Sequence, residues 1–216
     1  MLKLKNFSRF YGYKKVINNI DLVLKPNEIL CIMGPNGAGK TTLMEGILSH
    51  NRHEKSKIFF LDKEINSLQD HYQFLENVSY LGHEPGLFLD LTLTENLRFF
   101  LDLYRLKREV FTRSEIDELL HQTNLFHRKD DLVRNFSRGM RQRAGLIRCI
   151  ITKPLLLILD EPLTGLDEFS IKFLVGFLKE YKKKGSCILA THNNQVFQNV
   201  IDRTIYLNYG RIEKFF

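Results

Sequence analysis

The residues Gly34-Pro35-Asn36-Gly37-Ala38-Gly39-Lys40-Thr41 fit the phosphate-binding pattern G-x-x-x-x-G-K-[ST] at every fixed position. Glycines at 34, 37 and 39 let the backbone turn with positive φ and approach an anion with no Cβ in the way. Successive N–H groups then point inward, and the following helix adds partial positive charge at its start. Lys40 places a full charge near the β- and γ-phosphates of a nucleotide. Thr41 is left to ligate Mg²⁺, and Thr42 extends the row of candidate phosphate contacts into the helix.

Three further groups have types and positions suited to chemistry. Asp160-Glu161 stands at the carboxyl end of the apolar run Leu155–Leu159, and His192 stands just past the apolar run Ser186–Ala190. In open α/β sheets ligands bind at that end of the strands, so acids and an imidazole emerging there read as site residues. Ser137 and Gly139 lead a long amphipathic segment from Arg141 to Thr152. A helix start capped by Ser is a second anion-binding end.

The elements that must hold these groups follow from periodicity and breakers. Ile29–Met33 reads as a buried strand before the loop, and Thr42–Leu48 as the helix after it. Leu2–Phe10 and Asn19–Leu24 read as strands separated by a turn at Tyr11-Gly12-Tyr13-Lys14-Lys15. Tyr11 in that turn reads equally as a ring for stacking on a base or as an edge aromatic packed on the sheet. His50–Lys55 reads as a polar surface connection, and Lys57–Leu61 and Asn77–Leu81 as further strands.

Gly82-His83-Glu84-Pro85-Gly86 must be a loop. From there the composition turns helical, with Thr94 as a candidate cap for Leu97, Phe100, Leu101 and Tyr104, and with a second helix over Arg113–Thr123. Residues 87–152 thus read as a helical insertion in an α/β core, and its phenylalanines, among them Phe88, Phe99 and Phe100, as mostly core. Glu168–Lys184 reads as a helix, and Arg203–Leu207 and Arg211–Phe215 as closing strands.

Composition excludes several classes. At 216 residues the chain buries a sizeable core, and 44% hydrophobic with 26% charged residues is a globular balance rather than a disordered one. The net charge of +7 comes from scattered Lys and Arg; it suits an acidic ligand or an ordinary solvated face. Cys31, Cys149 and Cys187 are odd in number and lack CxxC spacing, so neither a disulfide framework nor a cysteine metal site is expected. The first residues lack the apolar core of a signal peptide, and no run is long enough to span a membrane.

In this order and spacing the motifs resemble the nucleotide-binding domain of ATP-binding cassette proteins along essentially the whole chain. Gly34–Thr41 is similar to the Walker A loop, Phe136-Ser137-Arg138-Gly139-Met140-Arg141-Gln142-Arg143 to the family signature, and Leu155–Glu161 to Walker B. Leu163-Thr164-Gly165-Leu166-Asp167 resembles the D-loop, His192 the switch histidine, and Tyr11 the adenine-stacking aromatic. The resemblance implies an α/β P-loop NTPase with a mostly parallel central sheet, an N-terminal antiparallel β subdomain and the helical insertion, all in one domain over residues 1–216.

It implies ATP and Mg²⁺ as cofactors and a dimer, each ATP lying between the loop of one copy and Ser137, Gly139 and Met140 of the other, with Asp167 alongside. Lys40 would bind phosphate, Thr41 and Asp160 hold Mg²⁺, Glu161 act as general base on water, and His192 sense the γ-phosphate.

Two positions depart from the family pattern. His83 stands where a glutamine that contacts Mg²⁺ is usual, and the signature carries Arg138 and Met140 where glycine and glutamine are frequent. The stretch Tyr80–Gly86 with Leu91–Phe100 resembles the heme-exporter subunit of cytochrome c maturation, whereas Ser-Arg-Gly-Met resembles ABC-2 type drug, lipid or polysaccharide exporters. Either implies an integral membrane permease as partner and a peripheral place on the cytoplasmic face of the inner membrane, with no nucleic acid expected. A soluble cassette acting on nucleic acid or ribosomes would need tandem cassettes or a coiled-coil insertion. A phosphate-loop kinase would not need the Ser137 or Leu163–Asp167 segments.

Overall fold

The computed structural model describes residues 1–50, 55–105 and 111–215. In chain order the elements are strands β1 (Leu2–Tyr11), β2 (Lys14–Leu24) and β3 (Ile29–Met33), helix α1 (Lys40–Leu48), strands β4 (Lys57–Phe60) and β5 (Lys63–Glu64), helix α2 (Leu68–Leu75), and strand β6 (Val78–Leu81). Helices α3 (Leu93–Arg105), α4 (Arg113–Gln122) and α5 (Arg138–Ile151) follow, then β7 (Leu156–Asp160), α6 (Glu168–Tyr181), β8 (Ser186–Ala190), β9 (Arg203–Asn208) and β10 (Arg211–Phe215).

Two sheets result. The first has order β2-β1-β4-β5 and is antiparallel throughout; the second has order β10-β9-β3-β8-β7-β6, with every pair parallel except β10–β9. Strands β7 and β8 are buried at all five positions, as expected for central parallel strands covered on both faces. Alternation across β7 sends Leu157 and Leu159 into one core with Ile147 and Leu97, and Leu156 and Ile158 into the other with Leu43, Met44 and Leu4. The helical stretch therefore packs on one face of the parallel sheet, and α1 with the antiparallel sheet on the other. Each such Leu or Ile contributes about 1.5–3 kcal/mol on burial, so the sheet edge that carries the loops is held by dense packing on both sides.

Several boundaries differ from the sequence reading. The hairpin turn is only Gly12-Tyr13: β2 begins at Lys14 rather than Asn19, and Tyr11 closes β1. Helix α3 is led by Thr92 rather than Thr94, because Thr92 and Glu95 exchange the two bonds of a capping box while Thr94 donates to the Lys129 carbonyl. Helix α5 starts at Arg138, three residues earlier than read, directly after its cap Ser137. Helix α2 was not read at all, although Ser67 and Asp70 form a capping box before it. Of the polar connection expected over His50–Lys55, residues 51–54 lie outside the described residues. Phe88 and Phe99, read as core, are half exposed and pack edge to face at 5.0 Å.

Candidate functional site

Because β3, β8 and β7 are neighbours and parallel, the loops after them open on one edge of the sheet. Gly34–Gly39 meets Glu161 and His192 there, each more than a hundred residues from the loop in the chain. The loop's shape is enforced by its surroundings. Gly34 has φ +156, and a Cβ at that position would stand 2.1 Å from the Leu207 carbonyl oxygen. On the far side the Gly210 N–H donates to the Ala38 carbonyl at 2.9 Å. The β9–β10 hairpin thus clamps the loop, a contact the sequence reading missed; only the glycine at 210 between two strands hints at it.

Lys40, Thr41 and Thr42 form the first turn of α1, where N–H groups lack helical acceptors. Lys40 is nearly buried, and its ammonium donates to the carbonyl oxygens of Gly34 (2.8 Å) and Pro35 (3.3 Å). Pro35, Asn36 and Gly37 form the exposed crest of the loop, and the Ala38 N–H donates back to the Pro35 carbonyl at 3.2 Å.

Asp160, at the end of β7, is only 1% exposed. Its Oδ2 accepts from Thr41 Oγ1 at 2.5 Å, and its Oδ1 is buried with no hydrogen-bond partner among the described residues. Burial pushes its carboxyl above the usual carboxylate range and the Glu161 charge adds to this, against the opposing Thr41 hydroxyl, His83 and Lys40. His83 is exposed, with Nε2 4.0 Å from Asp160 Oδ2. A desolvated carboxylate with a free oxygen, a threonine hydroxyl beside it and an imidazole at its mouth suit a hard cation that keeps several waters. Among the described residues no cluster of three or more His, Cys, Asp or Glu forms a cage for a softer metal.

Glu161 has φ 49, a left-handed backbone uncommon for a residue with a side chain and costing on the order of 1–3 kcal/mol. Its N–H donates to the Ala190 carbonyl of β8 at 2.9 Å, which fixes the twist. The carboxylate is turned between an ammonium and an imidazole: Oε1 lies 3.8 Å from Lys40 Nζ, and Oε2 lies 2.8 Å from His192 Nδ1. The imidazole itself is largely exposed.

At the side of the loop Tyr11 is 56% exposed, and its hydroxyl donates to Glu45 Oε2 on α1 at 3.3 Å. The ring is therefore an edge residue with an open face, held by a carboxylate the sequence reading did not single out.

Ser137, Gly139 and Met140 are not brought to this cluster. Ser137 accepts from the Met140 N–H at 3.2 Å as the cap of α5, and both Ser137 and Arg138 are exposed. Gly139 lies against the loop after Glu161: a Cβ there would stand 2.4 Å from the Gly165 carbonyl oxygen. Asp167 caps α6 through Ser170 N–H and accepts from Arg143 at 3.3 Å; these bonds to Ser170, with a smaller contribution from Arg143, hold its carboxyl below the usual range.

A family model described as "ABC transporter" matches residues 17–164. The chain is 30% identical to the lipopolysaccharide export system ATP-binding protein LptB of Haemophilus influenzae, over 98% of this chain and 88% of the relative. It is 31% identical to the cytochrome c biogenesis ATP-binding export protein CcmA of Vibrio parahaemolyticus, over 91% of this chain and 94% of the relative. A solved dimeric ATP-binding cassette, described as a post-hydrolysis state bound to ADP and Pi, superimposes with a TM-score of 0.86 at 22% identity, covering 100% of this chain and 98% of that one.

Proposed function

Since the chain belongs to the ABC transporter family and is an ATP-binding subunit of its ATPases, we propose that it hydrolyses ATP as a dimer to drive a separate integral membrane permease. The observation that carries this reading is the Glu161 carboxylate held between Lys40 and His192 at the rim of the phosphate loop. A carboxylate so placed accepts a proton from water attacking the γ-phosphate. His192 orients it and reaches the same phosphate, while Lys40 and the amides of residues 34–42 bind the remaining oxygens. Thr41 and, through water, Asp160 would hold the Mg²⁺ that offsets phosphate charge, with His83 at its edge. Tyr11 stacks on the adenine.

Ser137 and Arg138 at the signature end of α5 are exposed, and the solved relative in fold is a dimer. This supports an ATP closed by Ser137, Gly139 and Met140 of a second copy, with Asp167 beside them. The permease would dock where half-exposed Phe88 and Phe99 adjoin a cavity of about 300 Å³ between β6, α3 and α5 that includes Glu84, Phe100 and Arg148. On this reading the spans come from the partner and the chain sits peripherally on the cytoplasmic face; no helix among the described residues is long and apolar enough to cross a membrane.

For the cargo, the Tyr80–Phe100 stretch and the CcmA relative support heme export for cytochrome c maturation. The signature residues and the LptB relative support a lipid or polysaccharide exporter. The test is recovery of the chain from membranes with its integral partner, together with heme staining of c-type cytochromes in cells that lack it. Recovery only in soluble complexes overturns the permease reading. Normal cytochromes with a surface-glycolipid defect select the second cargo.

A further inference from the structure

The hairpin that carries Tyr11 is broken in the middle. Asn6 and Asn19 both have φ 50, and the β1–β2 register shifts on either side of Phe7↔Ile20. Below the break, Leu2–Lys5 pairs with β4; above it, Phe7–Tyr11 faces Lys14–Ile20 with no third strand paired to it among the described residues.

A polar seam, buried at Ser8 and Ser56 and exposed at Asn19, crosses the break. Ser8 Oγ donates to Asn19 Oδ1 at 2.8 Å and accepts the Asn19 N–H at 3.0 Å, and the Ser8 N–H donates to Ser56 Oγ, just before β4, at 2.9 Å. Lys15 Nζ adds a bond to Asn19 Oδ1 at 3.1 Å. Apolar pairs would hold a hairpin here as well. Satisfied polar pairs instead fix a single register, because any slip strands a buried donor or acceptor.

The distal limb is in turn seated on the helix that begins at the phosphate loop. The Phe7 ring lies so close to Gly46 of α1 that a Cβ there would come within 3.0 Å of it, and Tyr11 reaches Glu45 on the same helix. The position of the Tyr11 ring relative to residues 34–42 is therefore set through the seam and α1, together with the contacts β2 makes at the loop itself, where Ile17 lies against Gly39 and the Asn18 N–H donates to the Gly210 carbonyl at 2.9 Å. The geometry points to Ser8, Asn19 and Ser56 as positioning residues for nucleotide binding, acting through Tyr11 to fix the span between the base and the phosphates. This rests on the reading that Tyr11 stacks on the base.

The experiment compares a ligand that has a base with one that lacks it, ADP and pyrophosphate, by calorimetry on the full chain. Tyr11→Ala raises the Kd for ADP by roughly 10-fold, the scale of one lost base–aromatic stack, and leaves pyrophosphate unchanged. Asn19→Gly keeps the left-handed backbone but removes the amide. It raises the Kd for ADP roughly 5-fold with no change for pyrophosphate, and Asn19→Asp, which retains the acceptor, restores it.

In the Tyr11→Ala background Asn19→Gly has no further effect. If Tyr11→Ala alters neither Kd, base stacking fails and the inference with it. If Tyr11→Ala acts but Asn19→Gly and Ser8→Ala do not, stacking stands and the positioning role is overturned. A parallel rise in both Kd values in Asn19→Gly marks general loosening and also overturns it.

Discussion

The two anion-binding helix starts of this chain are built in opposite ways. At α1 the polar groups are enclosed and paired: Lys40 is covered, its ammonium is engaged by carbonyl oxygens and faces Glu161, and Thr41 is bonded to Asp160. At α5 the cap Ser137 and Arg138 are exposed, and the first turn contains no acid to balance Arg138 and Arg141. The first has Asp160, Glu161 and His192 beside it in the same chain; against the second lies the Gly165–Asp167 loop. On the proposed reading, one chain holds the chemistry and half of the enclosure. The remaining half is a surface whose charge and open N–H groups suit a phosphate presented from outside.

The largest effect that can sharpen this contrast lies at Glu161. Glu161→Gln removes the base while keeping shape, so hydrolysis should fall by about 10²–10⁴-fold with ATP affinity retained, and an ATP-bound dimer should accumulate in size-exclusion chromatography. Normal turnover in that variant, monomeric with ATP, would falsify the assignment of the base.

A mixing experiment can break the contrast outright. Lys40→Ala and Ser137→Ala should each be strongly impaired alone, yet a mixture should exceed the rate of either, since mixed dimers contain one loop and one signature that are both intact. If the two halves served the same nucleotide within one chain, no mixture would exceed either.

Ser137→Ala should also separate fold from function. Loss of a helix cap costs about 1 kcal/mol of stability, whereas ATP-dependent dimerisation and hydrolysis should fall by roughly 10-fold or more, with monomer affinity for ADP unchanged by titration.

The smallest effect is on stability alone. Asp160 is a buried carboxylate with one unpartnered oxygen, so Asp160→Asn should raise the melting temperature of the nucleotide-free chain by roughly 2–4 °C while abolishing the stabilisation that Mg²⁺ with ATP gives the parent chain. A lower melting temperature would show that the enclosed site is not strained by that charge.

The paired half of the site was legible in the sequence because its signals are local. Glycine spacing, an apolar run ending in Asp160-Glu161 and another ending before His192 each specify a strand and the loop at its end. The parallel order of the strands then brings them together. What escaped was non-local or carried by ordinary residues. Glu45 is one acid on a helix surface until β1 brings Tyr11 over it, and the clamp by Leu207 and Gly210 depends on a hairpin some 170 residues away.

The bulges at Asn6 and Asn19 lie in strands whose alternation is only partial, so a two-residue period cannot locate them. Helix α3 was misplaced by two residues because Thr92 and Thr94 both precede acids or amides able to cap. Only the Glu95 side chain reaching back to Thr92 decides between them. Phe88 and Phe99 were read as core because apolar spacing alone does not distinguish a face turned inward from one awaiting a partner.

The contact between the Ala38 carbonyl and Gly210, with Leu207 under Gly34, orders events in time as well as in space. During synthesis the phosphate loop is made first, and the hairpin that gives it its shape is translated some 170 residues later. At 5–20 residues per second, that leaves the loop without its clamp for roughly ten to thirty seconds. Until then the growing chain has the sequence of a nucleotide site without its shape, and it acquires affinity for ATP only once the hairpin has been translated.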